Sequence, residues 1–336
     1  MQFSKHSVFT RRQSDIAYGK AVAEKVASFR PDVVISANMP LDAQKILQRA
    51  ARKQNAKFVF WVQDVYSFAV RFVLDRKLSP LVGMAVASYY RRMEKKLLCN
   101  SDVVVCIAPD FKKIVTAWGV RPERAFMIEN WAPLNEVRHT NKDNAWAREH
   151  NLQNRFCFMY SGTLGMKHRP ELLLALAREL ETTDDAQLVV IASDAGADWL
   201  QKNAKHIRKN TLTLLPYQPY ERLSDVLGAS DVLIAMLDSE AGAFSVPSKI
   251  LTYLCAGRPL LLAAPCENHA VAVIKQADAG TVVSPDCSAD FVNAAMNLME
   301  NATQRNIYAA NARTYAERMF NITSIADQFI EVFSQL

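Results

Sequence analysis

Contiguous apolar runs alternate with segments of helical period along almost the whole chain. A helical segment at 18–29 leads to the short apolar run PDVVIS at 31–36. The spacing then predicts a helix over 41–53, a strand over 57–62 (KFVFWV) and a long helix over 81–98. A strand follows at 102–108 (DVVVCIA), then a helix at 110–118 and a strand at 125–129 (AFMIE). Short runs that are apolar throughout mark strands buried on both faces, and strands separated by helices imply right-handed crossovers within a parallel sheet. The polar stretch 134–144 breaks this rhythm and reads as a linker.

The rhythm restarts with RFCFMYS at 155–161. Strands are predicted at 187–193, 211–217, 231–237, 259–265 and 280–284, with helices between them and three closing helices. The second half therefore reads as a complete doubly wound domain, while the first half shows only four strands. The fold class is α/β, in two parallel-sheet domains.

The stretch EAGAFSVPSKILTYLCAGRP, 240–259, stands out. Pro247 suits a first helical turn, Ser248 has a cap-type side chain, and Gly257 suits the helix end. A helix that begins at the carboxyl end of a parallel strand aims its free N–H groups into the crevice above the sheet, where phosphate binds well. Ser248 and Lys249 lie at that end, although an ordinary strand–loop–helix unit would carry the same letters. Gly162, Thr163, Leu164, Gly165, Met166 and Lys167 occupy the turn after the strand 155–161. Its two glycines admit a ligand close to the backbone, and Lys167 offers a point charge to a pyrophosphate. Neither GxGxxG nor a Walker pattern is present. A glycine turn beside a solvated lysine is the plain alternative for this loop alone, but the two loops together suggest a diphosphate clamp.

Other candidates are weaker. Gln218, in the loop YQPY, offers a group to read a base edge, or simply lies in a surface turn. Glu240 beside Ala241-Gly242 places a carboxylate next to flexible backbone, suited to sugar hydroxyls, with a solvated loop glutamate as the competing reading. Asp64, after Gln63 at a strand end, points a carboxylate towards the cleft between the halves, unless it is only a helix cap. His168 has a better claim than His6, His139, His150, His206 or His269. No HxH, HExxH or DxD cluster calls for a metal.

Composition narrows the class. Apolar residues make up 50% of the 336 and charged residues 22%, as in a globular protein. No apolar run approaches the roughly 20 residues of a membrane helix. The N-terminus lacks the apolar core of a secretory signal, and six cysteines without CxxC spacing read as reduced core residues of a cytoplasmic protein. The net charge of +6 is uneven: residues 1–140 hold 23 Lys/Arg against 12 Asp/Glu, and residues 141–336 hold 17 against 22. Much of the excess flanks the helix 81–98. There Val82, Val86, Tyr89, Met93 and Leu97 form an apolar stripe, with Arg76, Lys77, Arg91, Arg92, Lys95 and Lys96 beside it. Such a helix suits the interface of an anionic membrane; a core-packed helix with a solvated basic face is the alternative. Nucleic acid is not expected, because no aromatic and basic platform accompanies the charge.

In PDVVIS, FVFWVQD, SDVVVCIAPDF and IENWAP of the first half, and in YSGTLGMKHRPELLLALA, DVLIAMLDSEAGAFSVPSKILTYLCAGRPLL and YAERMF of the second, the chain resembles the GT-B glycosyltransferases of the family 4 retaining type that build bacterial surface polysaccharides. The resemblance implies two Rossmann-like domains facing across a cleft: an acceptor-side domain at 1–138, a nucleotide-sugar domain at 139–321, and a helix at 322–336 crossing back to the first. It implies transfer of a sugar, with retention, from a UDP-sugar (or a GDP-sugar) to a lipid-linked or saccharide acceptor, without metal or cofactor, in the cytoplasm or at the inner face of the membrane. By position, Gly162, Thr163, Lys167, Pro247, Ser248 and Lys249 would face the donor diphosphate. Glu240, Gly242 and Ser245 would approach the donor sugar, and Asp64 and Glu240 are the candidate catalytic carboxylates. Two departures stand out. The Glu-x7-Glu of similar enzymes falls on Phe244 and Thr252, and a threonine on the ribose can hydrogen-bond but brings no charge. Similar enzymes also open with a strand and a glycine-rich loop that precede anything seen here, so the first domain is expected to be partial. A catalytically impaired nucleotide-sugar-binding module is therefore the alternative to an active transferase.

Overall fold

A computed structural model describes residues 8–68, 70, 80–240 and 246–336. The chain divides into two compact units, Met1–Glu129 with Thr323–Leu336, and Asn130–Ile322.

The first unit runs α1 (Val8–Phe29), β1 (Val33–Ala37), α2 (Leu41–Lys53), β2 (Lys57–Val62), α3 (Pro80–Cys99), β3 (Val103–Cys106), α4 (Pro109–Ala117) and β4 (Ala125–Met127). Its strands pair in sequence order, all parallel. Phe58, Val59, Val104, Val105 and Cys106 are fully buried, which is why β2 and β3 read as unbroken apolar runs. Helix α1 begins ten residues earlier than its apolar spacing predicts. The polar segment that hid its start is held by tertiary contacts: Asp15 is buried, and Arg12 lies 3.4 Å from the carboxylate of Asp42 on α2. Burial raises the Asp15 pKa, and Arg11 opposes the shift. The two helices nearly touch at Gly19, where a Cβ would sit 2.7 Å from the Cα of Ala43.

The second unit runs α5 (Ala145–Glu149), β5 (Phe156–Ser161), α6 (Pro170–Leu180), β6 (Ala186–Ile191), α7 (Ala195–Asn203), β7 (Leu212–Leu215), α8 (Leu223–Gly228), β8 (Val232–Met236), α9 (Lys249–Ala256), β9 (Leu260–Ala263), α10 (His269–Ala277), β10 (Gly280–Val283), α11 (Ser288–Glu300) and α12 (Ala302–Met319). The strand order is β10-β9-β8-β5-β6-β7, again all parallel. Every residue of β6, β8 and β9 is buried. The closing helix α13 (Ile322–Ser334) clusters almost entirely with the first unit, where the Phe329 ring meets Trp61 edge-on at 5.1 Å.

Residues 134–144 are not the loose tether their polarity suggests. Val137 is fully buried, Arg138 N–H donates to Ser224 Oγ at 3.0 Å, and Thr140 Oγ1 donates to Ser224 O at 2.9 Å. Lys142 donates to Arg155 O at 2.6 Å and pairs with Asp231. Arg258 returns a bond to Thr140 O at 2.8 Å. These polar groups are spent on backbone and side-chain partners within the second unit instead of on solvent. The cysteines also split: Cys106, Cys157 and Cys255 are buried, whereas Cys99 and Cys266 are exposed and Cys287 lies between.

The α1–α2 crossing can be tested. Gly19→Val must force the helices apart at a cost of about 1–3 kcal/mol, read as lost amide hydrogen-exchange protection in α1 and α2. Unchanged protection would contradict the close crossing.

Candidate functional site

In the second sheet β5 pairs with β6 on one side and β8 on the other. Chain connections therefore leave these neighbouring strands in opposite directions, and the carboxyl ends of β5 and β8 bound the crevice where doubly wound sheets take ligands. The two loops singled out in the sequence, after β5 and after β8, are the two that flank it. Gly162 opens the first with φ +123°, a region that disfavours L side chains. A Cβ there would lie 3.4 Å from Lys249 Nζ. The lysine thus packs against bare backbone. Its ammonium sits 3.5 Å from the centre of the Tyr160 ring and donates to Thr163 O at 3.4 Å. Tyr160 donates to the same carbonyl at 2.6 Å. Tyr253, one turn beyond Lys249 on α9, accepts from Ser161 N–H at 3.0 Å and donates to Ser161 O at 2.9 Å. Its hydroxyl ties α9 to the end of β5.

Protein closes round most of the Lys249 side chain while leaving it an opening to solvent. Desolvation lowers its pKa well below the ordinary lysine value, Asp194 opposes the shift and Lys167 adds to it. His168 is buried, and its Nδ1 accepts from Gly165 N–H at 2.9 Å. Burial, then Lys249 and Lys167, push its pKa down to about 3, so it stays neutral and acts as a brace for the turn. Asp194 accepts from Leu164 N–H at 3.3 Å and from the Tyr217 hydroxyl. Two lysines face a single carboxylate here, and an anion bound between the loops would restore the balance.

The other predicted residues fall as follows. Thr163 and Lys167 lie on the β5 loop, with Lys167 O accepting from Asp238 N–H at 2.8 Å. Ser248 is exposed at the N-cap of α9, but its side chain makes no capping bond, and Pro247 is buried just before the helix instead of inside it. Thr252 lies half-buried on α9. Gln218 is already engaged: its Oε1 accepts from Trp146 Nε1 at 3.0 Å and its Nε2 donates to Pro216 O at 2.9 Å, so the amide anchors α5. Glu240 is exposed in the turn after β8, where its N–H donates to Asp238 Oδ1 at 3.0 Å. Asp64 is exposed on the first unit, after β2. The turn that follows is held by buried Glu94, which accepts from Tyr66 and Ser67 N–H at 2.8 and 2.9 Å. Gly242, Phe244 and Ser245, like His6, Arg76 and Lys77, lie outside the described residues.

Sequence reasoning passed over Asp194, Tyr160 and Tyr253. Asp194 stands just past a predicted strand on the same sheet edge, and that position was the available signal. The two tyrosines read as core residues in apolar runs. On α3 the predicted apolar stripe divides: Met93 and Leu97 are buried, whereas Val82 and Tyr89 are exposed, as are Leu81 and Met84.

Residues 142–315 match the family described as glycosyl transferases group 1, and residues 6–131 match the glycosyl transferase 4-like domain. The chain belongs to the glycosyl transferases group 1 family. Among solved structures, Anabaena HepE in complex with UDP-glucose aligns at TM-score 0.74 with 15% identity, covering 95% of this chain and 82% of that one. Sucrose-phosphate synthase of Thermosynechococcus elongatus aligns at TM-score 0.78 with 14% identity, covering 100% and 82%. These likenesses establish the GT-B fold for this group 1 chain. A D-inositol 3-phosphate glycosyltransferase of Rhodococcus opacus is 25% identical over 251 residues, which are 71% of this chain and 54% of that protein. An uncharacterized glycosyltransferase of Methanocaldococcus jannaschii is 20% identical over 252 residues, 74% and 62% respectively. The chain thus spans between 54% and 62% of the length of these two curated relatives.

Two outcomes follow from the electrostatics of this group 1 site. Lys249→Met removes a desolvated charge, so the ligand-free protein should melt no lower than the parent at neutral pH; a large drop would contradict the desolvation. His168 has a native pKa below its unfolded value, so the stability it contributes is complete above about 6.5 and is lost as pH falls towards about 3. His168→Asn, which keeps an acceptor for Gly165 N–H, should flatten the fall in urea midpoint across that window. An unchanged slope would contradict a neutral His168.

Proposed function

We propose that the chain transfers a sugar from a UDP-sugar to an acceptor hydroxyl, with a GDP-sugar as the alternative donor. The observation that carries this reading is the Lys249 ammonium against Gly162, at the point where the sheet's strand order reverses. A nucleoside diphosphate there would place its negative charge against Lys249, Lys167 and the N–H groups of the glycine turn. Those groups would then stabilise the charge that grows on the leaving phosphate as the anomeric C–O bond breaks, the central demand of this transfer. We take the reaction to proceed with retention. The acceptor oxygen bonds to the face the diphosphate leaves, the bonding pair departs with the β-phosphate oxygen, and that oxygen receives the acceptor proton. Such a route asks little of a protein base. Asp64 and Glu240 remain the candidate carboxylates, with Glu240, Gly242 and Ser245 assigned to the donor sugar, Pro247 and Ser248 to the phosphate turn, and Thr252 to the ribose. UDP is favoured because Anabaena HepE was solved with UDP-glucose; Gln218 is not assigned a base contact, since Trp146 already occupies its amide.

We further propose a lipid-linked or saccharide acceptor of surface polysaccharide synthesis, met at a membrane face. Among the described residues no helix is long and apolar enough to cross a membrane. The first half of α3 exposes Leu81, Val82 and Met84, and Arg91, Arg92, Lys95 and Lys96 are exposed further along it. Apolar contact followed by cations suits the surface of an anionic bilayer.

UDP at millimolar concentration should raise the melting temperature of the parent and leave that of Lys249→Met unmoved. No shift with UDP or GDP in the parent would remove the donor-site reading. Turnover is judged separately, by nucleotide release from UDP-sugars with membrane extract as acceptor: binding without release would favour the impaired module, to which Thr252 lends weight by bringing no charge to the ribose. In that assay Glu240→Gln and Asp64→Asn should each lower release by about tenfold or more if the carboxylates act on reacting groups. Liposome co-sedimentation that survives replacement of Arg91, Arg92, Lys95 and Lys96 by Ser would rule out the membrane face.

A further inference from the structure

Helices α2 and α3 of the first unit flank a solvent-open cavity of about 430 Å³ that the sugar-transfer reading does not use. Lys45, Arg49 and Arg52 line it from α2, and Arg92 and Lys96 line it from α3; no carboxylate contributes to its wall. The spacing i, i+4, i+7 on one helix and i, i+4 on the other puts each set on a single face, so two ridges of cations confront one another. Like charges at such spacings repel. Among the described residues Lys45, Arg49, Arg92 and Lys96 make no ion pair that would relieve this, and Arg52 donates only to the carbonyl of Asn100, at 2.6 Å.

A favourable interaction with the helix dipole explains cations in a last turn. It accounts for Arg52 and Lys96, which occupy such turns, but not for Lys45, Arg49 or Arg92 a turn or more upstream. The floor is rigid and already satisfied: buried Gln48 donates to Leu97 O at 2.9 Å and to Ser101 Oγ at 3.1 Å. The cavity therefore has a fixed base, a polar rim of one sign and no internal counter-charge. Its volume is many times the roughly 30 Å³ share of one water, room for a diphosphate with its hydration.

It belongs to a different unit from the donor loops. The second half of α2 runs towards the start of β2, and α3 ends just before β3, so the cavity lies by the amino-terminal edge of the first sheet. Asp64 is at the opposite, carboxyl-terminal edge, and the donor loops belong to the other unit.

We propose that the α2–α3 cavity is a second anion site, which takes a diphosphate or phosphomonoester group carried either by a soluble metabolite or by a lipid headgroup. The site stands on the cavity and its charges and does not depend on the donor reading.

The test uses the full chain carrying Lys249→Met, so that the donor loops do not report. Inorganic pyrophosphate titrated into it calorimetrically should bind, and adding Lys45→Ser with Arg49→Ser should weaken that binding by about tenfold, or 1.4 kcal/mol. On the parent background the same pair of substitutions should leave the UDP-induced melting shift intact, which shows that the fold and the donor site survive. Vesicles containing phosphatidic acid identify the source. If they bind the parent, are displaced by pyrophosphate and lose affinity with Lys45→Ser and Arg49→Ser, the group is a lipid headgroup. If pyrophosphate binds and vesicles do not, it is soluble. Equal affinity of parent and double variant for both probes, or no binding of either probe to the parent, overturns the proposal.

Discussion

The second unit is organised round one costly arrangement, a lysine ammonium pressed against bare backbone where two loops leave neighbouring strands. An ammonium partly withdrawn from water loses hydration that only charge, dipoles or a π face can replace. Here the replacements are the Tyr160 ring at 3.5 Å, one carbonyl at 3.4 Å and Asp194 nearby. A cation–π contact is worth about 0.5–2 kcal/mol, and Lys167 works against it. The lowered pKa of Lys249 is the mark of this incomplete compensation. A diphosphate would complete it, and a pocket that keeps its charge poorly solvated binds such a group without first having to remove water from the cation.

The surrounding fold keeps that arrangement from relaxing. Were α9 free to slide, Lys249 would swing into solvent, but Tyr253 bonds both backbone groups of Ser161. At the other end of α9, Gly257 caps it in the left-handed region with φ +62°, and Arg313 of α12 donates to Cys255 O at 2.8 Å. Gly162 is needed for its positive φ, and a Cβ there would only reach ordinary contact distance of the ammonium, 3.4 Å. On the facing loop, His168 and Asp194 each hold a backbone N–H of the turn. Most of the polar side chains here are therefore braces for the backbone of the two loops.

Much of this was legible in the chain itself, because buried parallel strands write themselves as unbroken apolar runs. Strand order within a sheet is not written that way, yet the two loops marked by Gly162–Lys167 and Pro247–Lys249 proved to be neighbours across β5 and β8. What stayed hidden has physical causes. The start of α1 was masked by polar residues whose burial is tertiary. The stretch 134–144 looked free because many of its hydrogen bonds go to partners more than eighty residues distant, such as Ser224. Gln218 looked available because nothing local announces Trp146 as its partner. Tyr160 and Tyr253 passed as core because a buried aromatic and a ring under a cation are the same letter. The cations of α2 and α3 gave an excess of charge but no shape; only the pairing of the two helices turns them into a cavity.

The most direct test of the central claim is the titration of the Lys249 side chain followed by NMR, in the free protein and with UDP bound. The account predicts a pKa well below the ordinary lysine value in the free state, rising when the diphosphate binds. An ordinary lysine pKa in the free protein, unmoved by saturating UDP, would contradict it.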